Sequence, residues 1–248
     1  MFSKRPYQKV FLSATWQYLA MINYAVDPAI LQNHLPPFTE VDYFDGKALV
    51  SIVGFLFNNT KVFGIRWPMH TNFEEVNLRY YVKHLENNHF KRGVGFVSEI
   101  VPKPVIAFMA NTLYNEHYRT ARMRHNIIEA EGVIKVEYEW KKPFQNWNMI
   151  SVEAENSLRN IVEGSAEEFI FEHYFGYNQL NKNTTIEYGV EHPRWKVYPV
   201  KNFELNCDVG KLYGQEFAPF IQNIKPHSVF LANGSDVVVR KPKYIIGK

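Results

Sequence analysis

Short strand-like runs follow one another along this sequence, and they limit the chain to a fold built mainly of β-sheet. Residues 133–140 alternate strictly, with Ile134, Val136, Tyr138 and Trp140 on one face and mostly charged side chains on the other, as in a strand that buries one face. Gly, Asn and Pro separate the runs, which favours an antiparallel sheet or barrel over alternating βαβ units. The other candidate strands are residues 47–57, 77–85, 94–101, 151–156, 186–190, 203–209 and 236–240.

Helix signals are few compared with the strand signals. Asp27 followed by Pro28 predicts a helix that runs through Leu31, because Asp caps free amides and Pro suits the first helical position. The remaining candidates are a helix from Pro104, with Val105, Phe108, Met109 and Leu113 at roughly helical spacing, a helix after the capping box of Ser165 and Glu168, and a weaker one over residues 214–222.

The composition sets the size of the core and the class of partner. The 248 residues are expected to form one domain, residues 1–248, because no linker or internal repeat interrupts them. Hydrophobic residues make up 46% of the chain and aromatic residues 16%, so rings must fill much of the core, and some could line a cavity. The net charge of +3 is too weak and too dispersed to indicate a nucleic-acid partner or an anionic membrane surface.

The number and spacing of the Cys and His residues indicate neither a disulfide nor a metal site. Cys207 is the only cysteine, which excludes an intrachain disulfide and the usual multi-cysteine zinc sites. The nine His residues show no metal-ligand spacing, so neither a metal nor a cofactor is predicted. No apolar leader core follows the basic N-terminal segment, and no run approaches about 18 consecutive apolar residues, so we expect a cytoplasmic protein that does not contact the membrane.

Several segments, taken in order, resemble the YqjF-like family, a bacterial domain family without an assigned activity. The ordered set carries the resemblance and covers nearly the whole chain. The segments are residues 27–37, 41–51, 73–82, 95–98, 118–123, 165–169, 192–195 and 229–232. That family is similar, more distantly, to acetoacetate decarboxylase. This similarity implies a mainly β (α+β) fold with a curled antiparallel sheet or partly closed barrel, a few peripheral helices and a ligand-sized cavity.

The decarboxylase activity is not implied along with the fold. In acetoacetate decarboxylase a lysine after a helix forms a Schiff base with the keto acid, and a neighbouring lysine lowers its pKa. The corresponding segment here is His117-Tyr118-Arg119, and the nearest lysines in sequence are Lys103 and Lys135. Arg does not deprotonate near neutral pH and Tyr forms no imine. Decarboxylase chemistry would therefore need a lysine that reaches the pocket from elsewhere.

One predicted strand carries polar side chains suited to a ligand. Glu75, Asn77, Arg79 and Tyr81 alternate on one face, and a carboxylate, an amide and a guanidinium suit a small polar ligand inside a barrel. By resemblance, Glu75 is the best counterpart of a cavity glutamate in the decarboxylase. The alternative is a solvent-exposed face with an ordinary Glu–Arg pair, since a one-residue slip in register would turn this face outward.

Tyr118, Arg119 and Arg122 form the second group of candidates. Either arginine could clamp a carboxylate or phosphate with its guanidinium fork. The alternative places Arg122 on a solvated edge and makes Tyr118 a core ring. If Glu75 faces a pocket of low dielectric constant, its pKa would rise and equip it for proton transfer, while Arg79 would oppose that rise.

Two classes of function fit these residues. A small-molecule binding protein or enzyme of unknown reaction, with a carboxylate or other polar ligand, predicts a closed pocket with at least one buried ionisable group. A non-catalytic interaction or structural protein predicts a barrel filled by its own aromatic side chains and an exposed apolar patch. A homo-oligomer is compatible with both.

Overall fold

The computed structural model describes residues 8–247, and β-strands form most of them. Residues 1–7, which include most of the basic N-terminal segment, lie outside the described residues. The helices are α1 (Pro28–Leu31), α2 (Pro104–Tyr114), α3 (Ala166–Phe171), α4 (Val209–Tyr213) and α5 (Ala218–Ile221). The strands are β1 (Val10–Val26), β2 (Glu40–Val41), β3 (Tyr43–Phe44), β4 (Lys47–Val62), β5 (Phe73–Glu86), β6 (His89–Val101), β7 (Tyr118–Thr120), β8 (Arg122–Ala130), β9 (Val133–Lys141), β10 (Asn148–Glu155), β11 (Arg159–Asn160), β12 (Phe175–Asn181), β13 (Thr184–Glu191), β14 (Lys196–Tyr198), β15 (Val200–Asn206), β16 (Ser228–Arg240) and β17 (Lys243–Ile246).

Thirteen strands form one curled sheet, in which two strands far apart in the strand order also pair with each other. Its hydrogen-bonded order is β11-β14-β16-β1-β4-β5-β6-β12-β13-β17, with β2 on β5, β3 on β4 and β7 on β6. β13 also pairs with β16, through Val190↔Val239 and Glu191↔Val238, so the sheet encloses its inner face. The expected curled, mainly β fold is confirmed. The sheet is mixed, however, because the β6–β12 and β6–β7 pairings are parallel.

A second sheet covers the outer face of the first. It has four strands in the order β15-β10-β9-β8, and the apolar face of β9 is buried as predicted. These side chains form one hydrophobic cluster with Ile22, Ile52 and Leu78 of the large sheet. The two sheets approach closely at Gly54, where a Cβ would lie 2.6 Å from Cδ2 of Tyr138.

The inner face of the large sheet is also buried. Leu19, Met21, Val53 and Phe55 belong to a second hydrophobic cluster on that side. Because both faces of β4 are covered, its sequence is a nearly continuous apolar run instead of an alternating one.

Local turn and capping chemistry follows the sequence closely. Asp27 caps α1 by accepting a hydrogen bond from the amide of Ala29, 2.8 Å away, and Ser165 caps α3. β5 and β6 form a hairpin whose turn consists of Asn87 and Asn88. Their φ angles of 51° and 62° fit the left-handed conformation of a two-residue hairpin turn.

Several elements differ from the prediction. The 17-residue strand β1 was not predicted, because its register against β4 shifts near Tyr18, whose φ is 53°, and the shift breaks the alternation. The C-terminal helix candidate is shorter, since α5 has only four residues. α2 forms as predicted but exposes three of its four apolar candidates, Val105, Phe108 and Leu113.

No helix within residues 8–247 is long and apolar enough to cross a membrane.

The β5–β6 hairpin generates a testable prediction at Gly95. A side chain at Gly95 would overlap the ring of Tyr80 on the neighbouring strand, and Tyr80 is only 2% exposed. We expect Gly95→Ala to lower the free energy of unfolding by about 1–3 kcal/mol through overpacking, measured by urea denaturation.

Gly189→Ala provides the matched control. A Cβ there would make an ordinary contact, 3.6 Å from Cγ of Arg240. Equal stabilities of the two variants would show that Tyr80 is free to move away.

Candidate functional site

A cavity of about 130 Å³ lies between the inner face of the large sheet and α2. Most of its wall is apolar, and Ile106 and Met109 of α2 lie on one side. The aromatic side chains that line it include Trp16, Phe55, Phe57, Phe96, Phe171 and Trp195. The polar side chains include Glu75, Asn77, Arg79, Glu99, Glu116, Tyr118, His173, Tyr188 and His192. An apolar cavity with a few convergent polar groups is the usual form of a small-molecule site.

Strand β5 supplies Glu75, Asn77 and Arg79 to this cavity. Successive side chains of a strand point to opposite faces, so Val76 and Leu78 pack on the outer side, in the cluster shared with the second sheet. The predicted alternation of this strand therefore places its polar face inward.

Glu75 lies in the wall of the cavity and is only 2% exposed. The amide of Asn77 donates to its Oε1 at 2.9 Å, and the hydroxyl of Tyr118 donates to its Oε2 at 2.8 Å. Burial raises the pKa of Glu75 to about 7, against the opposing effect of these two hydrogen bonds and of the Arg79 charge. The carboxyl group is therefore poised to gain or lose a proton near neutral pH.

Two further buried carboxyl groups, Glu99 and Glu116, lie beside Glu75. Burial raises the pKa of both, and their mutual proximity lets a protonated Glu99 donate a hydrogen bond to Glu116. The hydroxyl of Tyr188 donates to Oε1 of Glu116 at 2.6 Å. Among the described residues, Oε2 of Glu99 and Oε2 of Glu116 have no conventional donor. A proton shared between the two carboxyl groups, as in paired carboxylates elsewhere, would give them a partner in each other.

Arg79 is the cation of the cavity. Its Nη2 donates to the carbonyl oxygen of Ile170 at 3.0 Å, and its Nε donates to the hydroxyl of Tyr81 at 3.3 Å. Tyr81 is itself held by the hydroxyl of Ser51 at 2.6 Å, which donates to Asn23. No carboxylate within residues 8–247 forms an ion pair with Arg79. The guanidinium is thus held by neutral groups and keeps its full charge for an anion.

Two histidines lie on the Arg79 side of the cavity. His173 donates through Nε2 to Oδ2 of Asp42 at 3.1 Å, and Arg92 donates to the same oxygen at 2.6 Å. Burial, with the charges of Arg92 and Arg79, lowers the pKa of His173 to about 4 despite Asp42. Burial also lowers the pKa of His192 to about 4, and its ring stacks on Trp195 at 4.1 Å between centroids. Both imidazoles are therefore neutral at physiological pH.

The structure brings together four of the seven side chains predicted for the cavity. Glu75, Asn77, Arg79 and Tyr118 line it. Tyr81 lies behind Arg79 and orients it. The two remaining candidates are exposed at the surface and do not line the cavity: Arg119 donates to the carbonyl of Leu212 at 3.2 Å, and the guanidinium of Arg122 lies 5.9 Å from the ring centroid of Trp147.

The sequence did not point to Glu99, Glu116, His173 or Tyr188. Strict alternation along β6 would group Ser98 with Phe96 and turn Glu99 away from them. The pairing Leu78↔Ser98 is followed by Arg79↔Phe96, so Val97 is an extra residue that returns Glu99 to the cavity side. The charge of Glu99 inside the apolar run 96–101 was the signal that could have revealed it.

Within residues 8–247, neither a lysine nor a metal-ligand cluster belongs to this site. The cavity-lining residues of the described chain include no lysine. Lys103 lies at the start of α2 and Lys135 pairs with Glu137 at 3.7 Å. Within residues 8–247, no three His, Cys, Asp or Glu side chains are placed to hold a metal ion.

The raised pKa of Glu75 makes stability depend on pH in a defined direction. The native carboxyl keeps a proton between its ordinary pKa of 4.5 and its folded pKa of about 7, whereas the unfolded chain releases that proton. The stability that the protonated Glu75 contributes to the folded protein is therefore complete below pH 4.5 and is lost as the pH rises to 7. We expect the wild type to lose stability relative to Glu75→Gln across this range, by on the order of 3 kcal/mol.

Urea unfolding at a series of pH values measures this difference. Glu204→Gln, which removes an exposed carboxyl on β15, is the control and should track the wild type. A constant difference between wild type and Glu75→Gln would contradict the shifted titration.

The fold is shared with proteins of the acetoacetate decarboxylase type. A crystal structure of acetoacetate decarboxylase from Legionella pneumophila matches with a TM-score of 0.64 and 13% identity, over 99% of this chain and 92% of the other. An acetoacetate decarboxylase-like enzyme from Sphingomonas wittichii RW1 matches with a TM-score of 0.64 and 12% identity, over 97% and 95%. The enduracididine biosynthesis enzyme MppR complexed with pyruvate matches with a TM-score of 0.63 and 9% identity, over 98% and 93%.

At these identities the likeness establishes the fold alone. No curated protein matches the chain in sequence. A family model does match, over residues 13–236, and its description is DUF2071, uncharacterized conserved protein (COG2071). Since this match spans most of the 248 residues, the chain belongs to the DUF2071 family.

Proposed function

We propose that the cavity binds a small carboxylate with an apolar remainder, and that Glu75 exchanges a proton with the bound ligand. The observation that carries the proposal is Arg79, a guanidinium in the wall of a mainly apolar cavity without a carboxylate partner among the described residues. Arg79 is partly buried, and a charge that is partly removed from water is costly unless it is paired. A ligand carboxylate would supply the missing partner through a bidentate hydrogen bond.

The size and lining of the cavity limit the rest of the ligand. A cavity of about 130 Å³ is close to the ~150 Å³ that accepts benzene in a protein interior, so we expect a ligand of about six to nine heavy atoms. The aromatic and aliphatic wall favours a branched or ring-shaped apolar body. The small net charge of +3 also fits such a ligand better than nucleic acid.

Proton transfer is the chemistry that the three buried carboxyl groups, Glu75, Glu99 and Glu116, support. Glu75 has a pKa raised to about 7, which suits a general acid or base at neutral pH. Glu99 and Glu116 lie beside it and can hold a further proton. The MppR neighbour is a complex with pyruvate, so a small carboxylate is bound by a protein of this fold.

Schiff-base decarboxylation is not part of the proposal. That route needs a neutral amine in the cavity, and no lysine lines the cavity within the described residues. The competing interpretation, an interaction protein with a filled interior, is less well supported because an open volume lies where that interpretation requires packed rings.

Calorimetric titration with 3-methylbutanoate tests the proposal. We expect the wild type to bind the acid and Arg79→Met to weaken binding, because a hydrogen bond to a charged group contributes about 1.5–3 kcal/mol, or roughly ten- to hundredfold in Kd. Arg122→Met, which removes an equal charge outside the cavity, is the control and should bind like the wild type. Equal binding by Arg79→Met and the wild type would contradict the assignment of the anion site.

A further inference from the structure

His173 is a buried acceptor that the proposed proton transfer does not use. It follows α3 and is held between the rings of Tyr81 and Phe169, at centroid distances of 4.9 and 5.0 Å. Its side chain is 1% exposed. The ring therefore has a fixed position, and bulk water does not satisfy its polar atoms.

The contact with Asp42 fixes the tautomer of His173. Burial alone would raise the pKa of Asp42, but hydrogen bonds from His173 and Arg92 hold it below its ordinary value. The carboxylate is thus an acceptor only, and Nε2 of His173 must carry the ring proton. Since the ring is neutral, Nδ1 carries a lone pair and no hydrogen.

Nδ1 of His173 has no hydrogen-bond partner within residues 8–247. Buried polar atoms are nearly always satisfied, and an unsatisfied one is commonly explained by a function or by a missing ligand atom. His173 and Arg79 line the same cavity, and the Arg79 charge acts on the His173 ring. The two groups therefore offer complementary features, a cationic donor for an anion and a neutral acceptor for a donor.

We infer that the ligand is a 2-hydroxycarboxylate, with its carboxylate on Arg79 and its hydroxyl donating a hydrogen bond to Nδ1 of His173. This inference rests on the proposed function and specifies the ligand class of the same site. The hydroxyl of such an acid is one carbon from the carboxylate, so neighbouring side chains can recognise both. Asp42 and Arg92 act as positioning residues, because they hold the ring with Nδ1 free.

Three acids that differ at one position test this inference by calorimetry. They are 3-methylbutanoate, 2-hydroxy-3-methylbutanoate in both enantiomers, and 3-methyl-2-oxobutanoate, whose carbonyl can only accept. We expect one enantiomer of the hydroxy acid to bind the wild type about three- to tenfold more tightly than the plain acid. The oxo acid should gain nothing, because its oxygen faces a lone pair. No preference for the hydroxy acid, or a preference for the oxo acid, would overturn the inference while leaving carboxylate binding intact.

His173→Phe then assigns the preference to Nδ1. Phe keeps a ring against Tyr81 and Phe169 but has no acceptor, so we expect the hydroxy and plain acids to bind this variant with equal affinity. Persistence of the preference would overturn the role of His173. The wild-type comparison needs no variant and decides the ligand class even if His173→Phe unfolds. Failure of every acid to bind the wild type would overturn both this inference and the proposed function.

Discussion

Burial of both faces of the central strands is the constraint on which the rest of the structure depends. β1, β4 and β5 pair in antiparallel register along most of their length. Their outer side chains pack against the four-stranded sheet, and their inner side chains surround the cavity. Because burial of the outer face specifies the register of the sheet, the polar side chains of β5 keep their positions on its inner face.

The cavity separates two kinds of polar group along that strand. Glu75, with Glu99 and Glu116, forms a group that stores protons, since burial and mutual repulsion favour the neutral acids. Arg79, with two neutral histidines, forms a group that attracts an anion. A ligand that reaches both would place its acidic group and its reacting atoms in different electrostatic surroundings, which is a common arrangement for proton-transfer sites.

The sequence predicted those parts of the molecule in which the side-chain period is unbroken. The alternation of β9 and the caps of α1 and α3 follow from local rules and lie where expected. The sequence also indicated the alternation of β5, but local rules left open which of its faces points inward. β1 and the inward side chain of Glu99 could not be predicted, because a shift near Tyr18 and an extra residue at Val97 each reverse the period. His173 and Asp42 are 131 residues apart, so no local pattern could have joined them.

The pairing of β16 with β1, β13 and β14 also has a consequence for folding during synthesis on the ribosome. In β16 (Ser228–Arg240), Arg240 pairs with Val10 of β1, and Val239 pairs with Val190 of β13. Until this late segment has been synthesised, the curled sheet has two open edges and the apolar wall around the cavity faces solvent. Such non-local closure makes folding slow and leaves strand edges available for aggregation. Both edges therefore stay available for pairing with other chains until β16 has been synthesised.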